Sequence, residues 1–149
     1  MASEFKLVYG IEFSETDMAG IVHFSNFFKY MERAEHAFYR SLGFSVVAGK
    51  DADPPIGWPR VHASCDYRRP LKFEDELEIH LLVEEIKLRS IRYAFRFRKL
   101  NGVTEPEDVA SGSMAIACVT RDEGGRMSAV EIPAAVIAKI QTAPEEALS

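Results

Sequence analysis

The sequence contains few of the residues on which most enzyme chemistry depends. It has two cysteines and four histidines in 149 residues, and no two histidines are spaced as metal ligands. The serines lie outside any Gly-x-Ser-x-Gly turn, and the glycines match neither a phosphate-binding loop nor a dinucleotide fingerprint. We therefore expect no metal site and no cofactor, and catalysis by a nucleophilic serine or cysteine is disfavoured.

Long apolar runs and an excess of positive charge are also absent. No stretch approaches the roughly 20 apolar residues of a membrane span, and no signal peptide is visible. The 23 acidic residues outnumber 18 basic ones, giving a net charge of −5, which argues against a nucleic-acid partner. Cys65 and Cys118 lie in alternating apolar patterns, as expected for buried thiols of a cytoplasmic protein. Length and composition predict one domain over residues 1–149.

Hydrophobic periodicity predicts one strand followed by one long helix. Apolar and polar residues alternate over residues 5–13, which predicts a strand with one buried face. Apolar residues then recur at helical spacing over residues 27–42, and Phe28 is one of several that widen the apolar surface, so we expect a nearly enclosed helix. Ser25 or a neighbour is a candidate cap for its start, and Gly43 is a candidate left-handed residue after its end.

Four further strands are predicted after a connection rich in proline and glycine at residues 44–59. Their links are too short for parallel crossovers, so we expect a mostly antiparallel sheet. The fold class is therefore α+β, with a five-stranded sheet wrapped around one long central helix. Apolar residues left on the outside then need a partner subunit. Pro133 is predicted to be the first residue of a short C-terminal helix. The four predicted strands cover residues 60–67, 76–84, 91–98 and 110–120.

The loop before the long helix is the most informative segment for function. Asp17 precedes Gly20 and the start of the helix, where backbone N–H groups without helical partners can stabilise an oxyanion. Apolar neighbours at positions 18–22 are expected to desolvate the carboxylate partly, which makes it a better base and nucleophile. A turn or capping role is the commoner alternative for such an aspartate. His23 either orients a substrate or a water molecule, or packs at the start of the helix.

A basic turn is predicted between two of the later strands. It contains Lys87, Arg89 and Ser90. Such clusters are most often solvated surface. In a chain that is acidic overall, the turn is also a candidate clamp for the phosphate groups of a ligand.

Several of these segments together resemble one known family. Asp17, the run Ala-Gly-Ile-Val at 19–22, Asn26 and the run Met-Glu-Arg-Ala at 31–34 resemble the hotdog-fold acyl-CoA thioesterases, in particular the 4-hydroxybenzoyl-CoA thioesterase-like family. Weaker similarity continues at residues 67–71, 85–91 and 130–133, so the resemblance covers most of the chain.

The resemblance implies hydrolysis of an acyl-CoA or aroyl-CoA at active sites between the subunits of a homodimer or homotetramer. Asp17 corresponds to the family's catalytic acid, and the backbone N–H at Phe24 corresponds to its oxyanion donor. Lys87 and Arg89 correspond to the residues that bind the phosphates of coenzyme A, which is part of the substrate. Leu88 stands where that branch can have a further basic residue.

The sequence leaves several alternatives open. Asp17 could attack the thioester directly or deprotonate a water molecule. With His23 it also supplies the residue types of an enoyl-CoA hydratase or dehydratase on the same fold. A non-catalytic acyl-CoA binding protein is the third possibility, and the identity of the acyl group is not determined.

Overall fold

The computed structural model describes residues 1–149, except for the side chain of Ala48. Five antiparallel strands form one sheet, and a single long helix, α1 (Asn26–Ser41), lies against it. This confirms the predicted α+β hotdog architecture. The five strands are β1 (Glu4–Gly10), β2 (Arg60–Tyr67), β3 (Glu76–Ile86), β4 (Ser90–Lys99) and β5 (Glu107–Ala117). Their order across the sheet is β1-β3-β4-β5-β2.

The core lies between α1 and the inner face of the sheet. Met31 and Phe38 of α1 are buried against alternating residues of β3 and β4, such as Leu81 and Phe95. The expectation of a nearly enclosed helix is wrong for a single chain. One side of α1 is charged and exposed, and Phe28 is 37% exposed, because the sheet covers only the opposite side.

The ends of α1 differ in how well they were predicted. Gly43 follows the helix with φ = +88°, which confirms the left-handed residue. Ser25 does not cap the start: it has helical dihedral angles, and among the described residues its side chain makes no capping hydrogen bond. Its hydroxyl contacts the imidazole of His23 instead, at 2.7 Å.

Other predicted boundaries shift by a few residues. β1 ends at Gly10, and residues 13–15 form a 3-10 turn closed by the Glu12 N–H, which donates to the Glu15 carboxylate at 2.9 Å. The last predicted strand stops at Ala117. The chain then forms a hairpin and two single-turn helices. These elements are β6 (Val119–Arg121), β7 (Met127–Ala129), α2 (Ala134–Ile137) and α3 (Glu145–Leu148).

The two outer strands have different surroundings. β1 pairs with β3 and has alternating half-buried residues, whereas β2 pairs only with β5 and is exposed along most of its length. The end of β2 at Tyr67 lies beside Phe24, two residues before the start of α1. No described helix is long and apolar enough to cross a membrane.

Candidate active site

The loop around Asp17 is closed by its own backbone. The Asp17 N–H donates to the Ile21 carbonyl at 2.9 Å, and the Gly20 N–H donates to the Asp17 carbonyl at 2.9 Å. Gly20 has φ = +79°, a conformation that glycine adopts without strain. The Ala19 N–H donates to Asp17 Oδ1 at 2.9 Å. This bond orients the carboxylate, and Oδ2 has no hydrogen-bond donor among the described residues.

Glu15, a buried acidic residue, bonds to residues that follow this loop. The carbonyl of Glu15 accepts bonds from the Asn26 side-chain amide at 2.8 Å and from the His23 N–H at 2.9 Å. The Glu15 carboxylate accepts a bond from the Tyr9 hydroxyl at 3.1 Å and lies 3.7 Å from the Arg33 guanidinium. Sequence reasoning assigned no role to Glu15 or Arg33. Only the resemblance singled out Asn26.

A free backbone donor precedes α1 in the same region. The N–H of Phe24 donates to no acceptor in the part of the chain that the structure describes. The Phe24 carbonyl accepts a bond from the Tyr67 hydroxyl at 3.0 Å. Burial raises the pKa of Tyr67 to about 12, so this hydroxyl remains a donor at neutral pH. Phe24 is therefore held in place while its N–H stays available.

Asp17 and Phe24 border the same cleft of about 400 Å³. Its floor is apolar, with Phe27 and Leu71 among its lining residues. Arg68 also lines it. The structure thus places a carboxylate and a free N–H around one space large enough for a small acyl group.

The expected desolvation of Asp17 is wrong for a single chain. Asp17 is exposed, and Met18 is 106% exposed, so it gives the carboxylate no apolar cover. Other large apolar side chains near the loop also face outwards. Phe24 is 60% exposed, and the edge-to-face pair Phe13 and Phe73, with ring centroids 5.8 Å apart, is 72% and 50% exposed. Residues before and after Asp17 in the sequence therefore leave apolar surface uncovered.

His23 lies at the start of the helix, as the packing alternative proposed. Its Nδ1 contacts Ser25 Oγ at 2.7 Å, and its ring centroid lies 4.6 Å from that of Phe24. The ring is exposed. These contacts connect His23 to the residues before α1, next to the cleft.

The basic turn lies at the other end of the sheet. Gly10 of β1 pairs with Glu76 at the start of β3, so the Asp17 loop is near that end. Lys87, Arg89 and Ser90 follow the opposite end of this 11-residue strand, about 30 Å away at the usual rise per residue. Within one chain, the structure therefore does not bring the predicted phosphate clamp to Asp17.

The two cysteines do not resemble catalytic thiols. Cys118 is buried and Cys65 is half-buried, and both are free. Burial raises the pKa of Cys65 to about 11, which leaves it protonated and weakly nucleophilic at neutral pH. Among the described residues, no group of three His, Cys, Asp or Glu side chains could hold a metal ion.

Several known proteins are similar to this chain in sequence. A family model described as the thioesterase-like superfamily matches residues 11–140. A 1,4-dihydroxy-2-naphthoyl-CoA hydrolase of Synechococcus sp. (strain WH7803) is 29% identical over 150 residues, covering 93% of this chain and 95% of that protein. A protein of Aquifex aeolicus (strain VF5) is 38% identical over 100 residues, which are 67% of this chain and 71% of that protein.

A solved structure shares the whole fold. An aspartate-to-asparagine variant of 4-hydroxybenzoyl-CoA thioesterase, complexed with 4-hydroxybenzoyl-CoA, superposes with a TM-score of 0.82 at 20% identity. The superposition covers 92% of this chain and 98% of that one.

Proposed function

This chain belongs to the thioesterase-like superfamily, and we propose that Asp17 and the Phe24 N–H form its catalytic centre. The protein is a thioester hydrolase, which cleaves an acyl-CoA or aroyl-CoA to the free acid and coenzyme A. The observation that best supports the proposed centre is that an oriented carboxylate with one free oxygen and an unpaired N–H border one cleft.

Asp17 can start the reaction in two ways. In one, Oδ2 attacks the thioester carbonyl carbon, the C–S bond breaks, and the resulting mixed anhydride is hydrolysed by water. In the other, Oδ2 takes a proton from a water molecule that attacks the same carbon. The bond from the Ala19 N–H to Oδ1 leaves Oδ2 as the reacting atom in both routes.

The Phe24 N–H would stabilise the negative oxygen of the tetrahedral intermediate. It lies at the positive end of α1, where the helix dipole adds to the effect. Loss of one such donor typically costs about 10²–10³ in turnover. Because a thiolate is a good leaving group near neutral pH, the mechanism needs no dedicated general acid.

A second subunit would complete the site, in a homodimer or homotetramer. The exposed edge of β2 offers unpaired backbone groups to another strand. Phe13, Met18 and Phe24 form an apolar surface beside the cleft, of the kind that marks an interface. A partner covering this surface would exclude water from Asp17 and so strengthen the electrostatic interactions of the site.

The same assembly would explain the position of the basic turn. Since Lys87 and Arg89 lie far from Asp17 of their own chain, they would bind the coenzyme A phosphates of a substrate that is cleaved at another subunit, with Ser90 beside them. Both basic side chains are exposed.

We also propose that this enzyme is located in the cytoplasm, because its cysteines are free thiols, and that it uses no cofactor.

The replacement of Asp17 tests the proposal. Asp17→Asn keeps the shape of the side chain but removes its charge, so thiol release should fall by roughly 10²- to 10⁴-fold. The measurement is thiol release from a panel of aromatic, short-chain and long-chain CoA esters. Asp108→Asn is a matched control, since this carboxylate is 68% exposed and pairs with Arg98 at 3.3 Å on the surface.

Two outcomes would contradict the proposed centre. One is wild-type turnover by Asp17→Asn on every ester that the native protein cleaves. The other is tight binding of CoA esters without thiol release by the native protein, which would favour a non-catalytic binding protein.

A further inference from the structure

Arg33 lies in the middle of α1 and takes no part in the proposed chemistry. Its Cζ lies 4.5 Å from the centroid of the Tyr9 ring and 6.0 Å from that of Tyr30. Its Nη1 lies 3.7 Å from Glu15 Oε2. The Arg33 side chain is 45% exposed, whereas that of Glu15 is 10% exposed. A half-exposed cation is therefore paired with a buried carboxylate.

The Glu15 carboxylate is held by three different segments of the chain. The Tyr9 hydroxyl of β1 donates to Oε2 at 3.1 Å, and the Glu12 N–H donates to Oε1 at 2.9 Å. Both of these donors are neutral. Among the described residues, Arg33 is the only cation that pairs with Glu15. Because a buried carboxylate is destabilising unless it is paired and hydrogen-bonded, Glu15 depends on Arg33 for compensation of its charge.

The main chain of Glu15 connects this pair to both proposed catalytic groups. Its carbonyl accepts bonds from the His23 N–H at 2.9 Å and from the Asn26 amide at 2.8 Å. Glu15 lies two residues before Asp17, and His23 directly precedes Phe24. A displacement of Glu15 would therefore move the carboxylate and the N–H donor relative to each other.

We propose that Arg33 positions the catalytic centre through Glu15. This inference rests on the proposed function, which supplies Asp17 and Phe24 as the groups to be positioned. Arg33 does not line the cleft, so it is a positioning residue and not a catalytic one. Its planar guanidinium suits both contacts, since one edge pairs with a carboxylate while a face stacks on the Tyr9 ring. Without this cation, the Glu15 carboxylate should move towards water and shift its main chain.

Arg33→Gln tests the proposal, because it removes the charge and the stacking but keeps a residue of similar helix propensity. We expect kcat for thiol release to fall roughly 10-fold with KM nearly unchanged, since a small misplacement of reacting groups acts on the transition state. Arg33→Lys, which keeps the charge, should restore part of kcat. Arg40→Gln is the matched control, an exposed arginine in the last turn of α1, and should have native kcat. Native kcat in Arg33→Gln would overturn the proposal.

A double-mutant cycle tests the route through Glu15. Glu15→Gln keeps the shape of the side chain and removes the charge that Arg33 compensates. In this background, Arg33→Gln should change kcat by less than about 2-fold, because the two residues act as one unit. The same loss of kcat in both backgrounds would show that Arg33 does not act through Glu15. Thermal unfolding shows whether Glu15→Gln is folded, and the next measurement does not depend on that variant.

Hydrogen exchange reports the position of the loop without reference to activity. The N–H groups of Asp17 and His23 each donate to a main-chain carbonyl at 2.9 Å. In Arg33→Gln, both amides should exchange roughly 3- to 10-fold faster than in the native protein, as expected when a local opening becomes easier. In Arg40→Gln, their exchange should be unchanged. Native exchange rates at both amides of Arg33→Gln would overturn the proposal.

Failure of the proposed function is distinguishable from failure of this inference. If Asp17→Asn keeps full activity while Arg33→Gln accelerates exchange at His23, the catalytic centre is wrong and the positioning of the loop by Arg33 is supported. If Asp17→Asn is inactive while Arg33→Gln has native kcat and native exchange, the catalytic centre is supported and the role of Arg33 is wrong.

Discussion

The Tyr67 hydroxyl donates a hydrogen bond to the Phe24 carbonyl at 3.0 Å, between residues 43 positions apart in sequence. This bond connects the end of β2 to the residue whose free N–H faces the reaction in our proposal. It is supported by aromatic contacts, since the Tyr67 ring lies 6.4 Å from Phe24 and 5.1 Å from Phe27 between centroids. The sheet therefore positions the proposed oxyanion donor.

Tyr67→Phe removes this hydrogen bond and keeps the aromatic ring. We expect kcat to fall by about 2- to 10-fold, the effect of one neutral hydrogen bond, with a smaller change in KM. Steady-state thiol release measures both parameters. Thermal unfolding checks that the fold is retained. An unchanged kcat would show that Tyr67 does not position Phe24 for catalysis.

Asn26→Ala removes the buried bond from its side-chain amide to the Glu15 carbonyl, which is 2.8 Å long. We expect the free energy of unfolding to fall by about 1–3 kcal/mol. Urea denaturation measures the change. Ser41→Ala is the control, because its hydroxyl bonds only to Phe38, within the same helix, and its loss should cost less than about 0.5 kcal/mol. Equal effects of the two substitutions would contradict an anchoring role for Asn26.

Glu35 should make the stability of the protein depend on pH. Its side chain is fully buried, and it bonds the Arg60 guanidinium at 2.5 Å. Burial raises the pKa of Glu35 from 4.5 to about 7, although Arg60 opposes the shift. The folded state therefore holds a proton more tightly than the unfolded state. The resulting stabilisation is complete below pH 4.5 and is lost as the pH rises to about 7.

Comparison with Glu35→Gln isolates this contribution. The free energy of unfolding of the native protein, minus that of the variant, should fall by roughly 3 kcal/mol between pH 4.5 and pH 7. Urea denaturation across this range measures it. The contribution of His80, whose pKa is lowered mainly by burial, is present in both proteins and cancels. His36 lies 3.6 Å from Glu35, so Glu35→Gln is also compared with the native protein in a His36→Gln background. A difference that stays constant would show that Glu35 does not titrate in this range.

Gly112 of β5 has no room for a side chain unless Met31 moves. An added Cβ would overlap Cε of Met31 and lie 3.2 Å from the Ser64 carbonyl oxygen. We expect Gly112→Ala to destabilise the protein by about 1–3 kcal/mol through overpacking, measured by thermal or urea unfolding. Gly10→Ala is the matched control on β1, since an added Cβ there meets no atom within 4 Å. Equal stability of the two variants would contradict this packing.

Met18→Glu tests the proposed interface. Because Met18 is fully exposed in one chain, the substitution should leave the folded chain intact and destabilise an assembly that buries this position. Analytical ultracentrifugation should then show smaller species for the variant, and thiol release should fall with them. A monomeric native protein, or a variant with the native oligomeric state, would refute a subunit interface at Met18.

Local patterns in the sequence predicted the architecture well. Alternation over residues 60–67 matches β2 without error, and the wide apolar pattern of residues 27–42 matches α1 to within a residue. The helical pattern arises from repeated contacts with the core, whereas β2 is exposed along most of its length, so its apolar alternation is not matched by burial. The first strand was predicted to end at Phe13 and the last to continue through Cys118. Both predicted ends are too late, because a capping turn and a hairpin end these strands earlier, although the apolar alternation continues in the sequence.

The candidate site was predicted only in part. Asp17, Gly20 and Phe24 lie within a few residues of one another, so their loop could be recognised from local chemistry. The support from Glu15 and Tyr67 could not, because the contacts of Tyr67 depend on which strand lies at the edge of the sheet. Met18 is exposed although it is apolar, whereas an apolar residue in a sequence normally indicates burial.

The sequence alone determined the elements of this protein. They are strands in which apolar and polar residues alternate, one wide amphipathic helix, and a short loop in which the Asp17 carboxylate accepts a bond from the Ala19 N–H. These features depend on residues close together, whose periodicity and turn preferences act before any long-range contact forms. Only the tertiary structure decided that Tyr67 holds Phe24 and that Lys87 and Arg89 lie far from Asp17. Those relationships follow from strand order and register, which bring distant residues together and which no local pattern specifies.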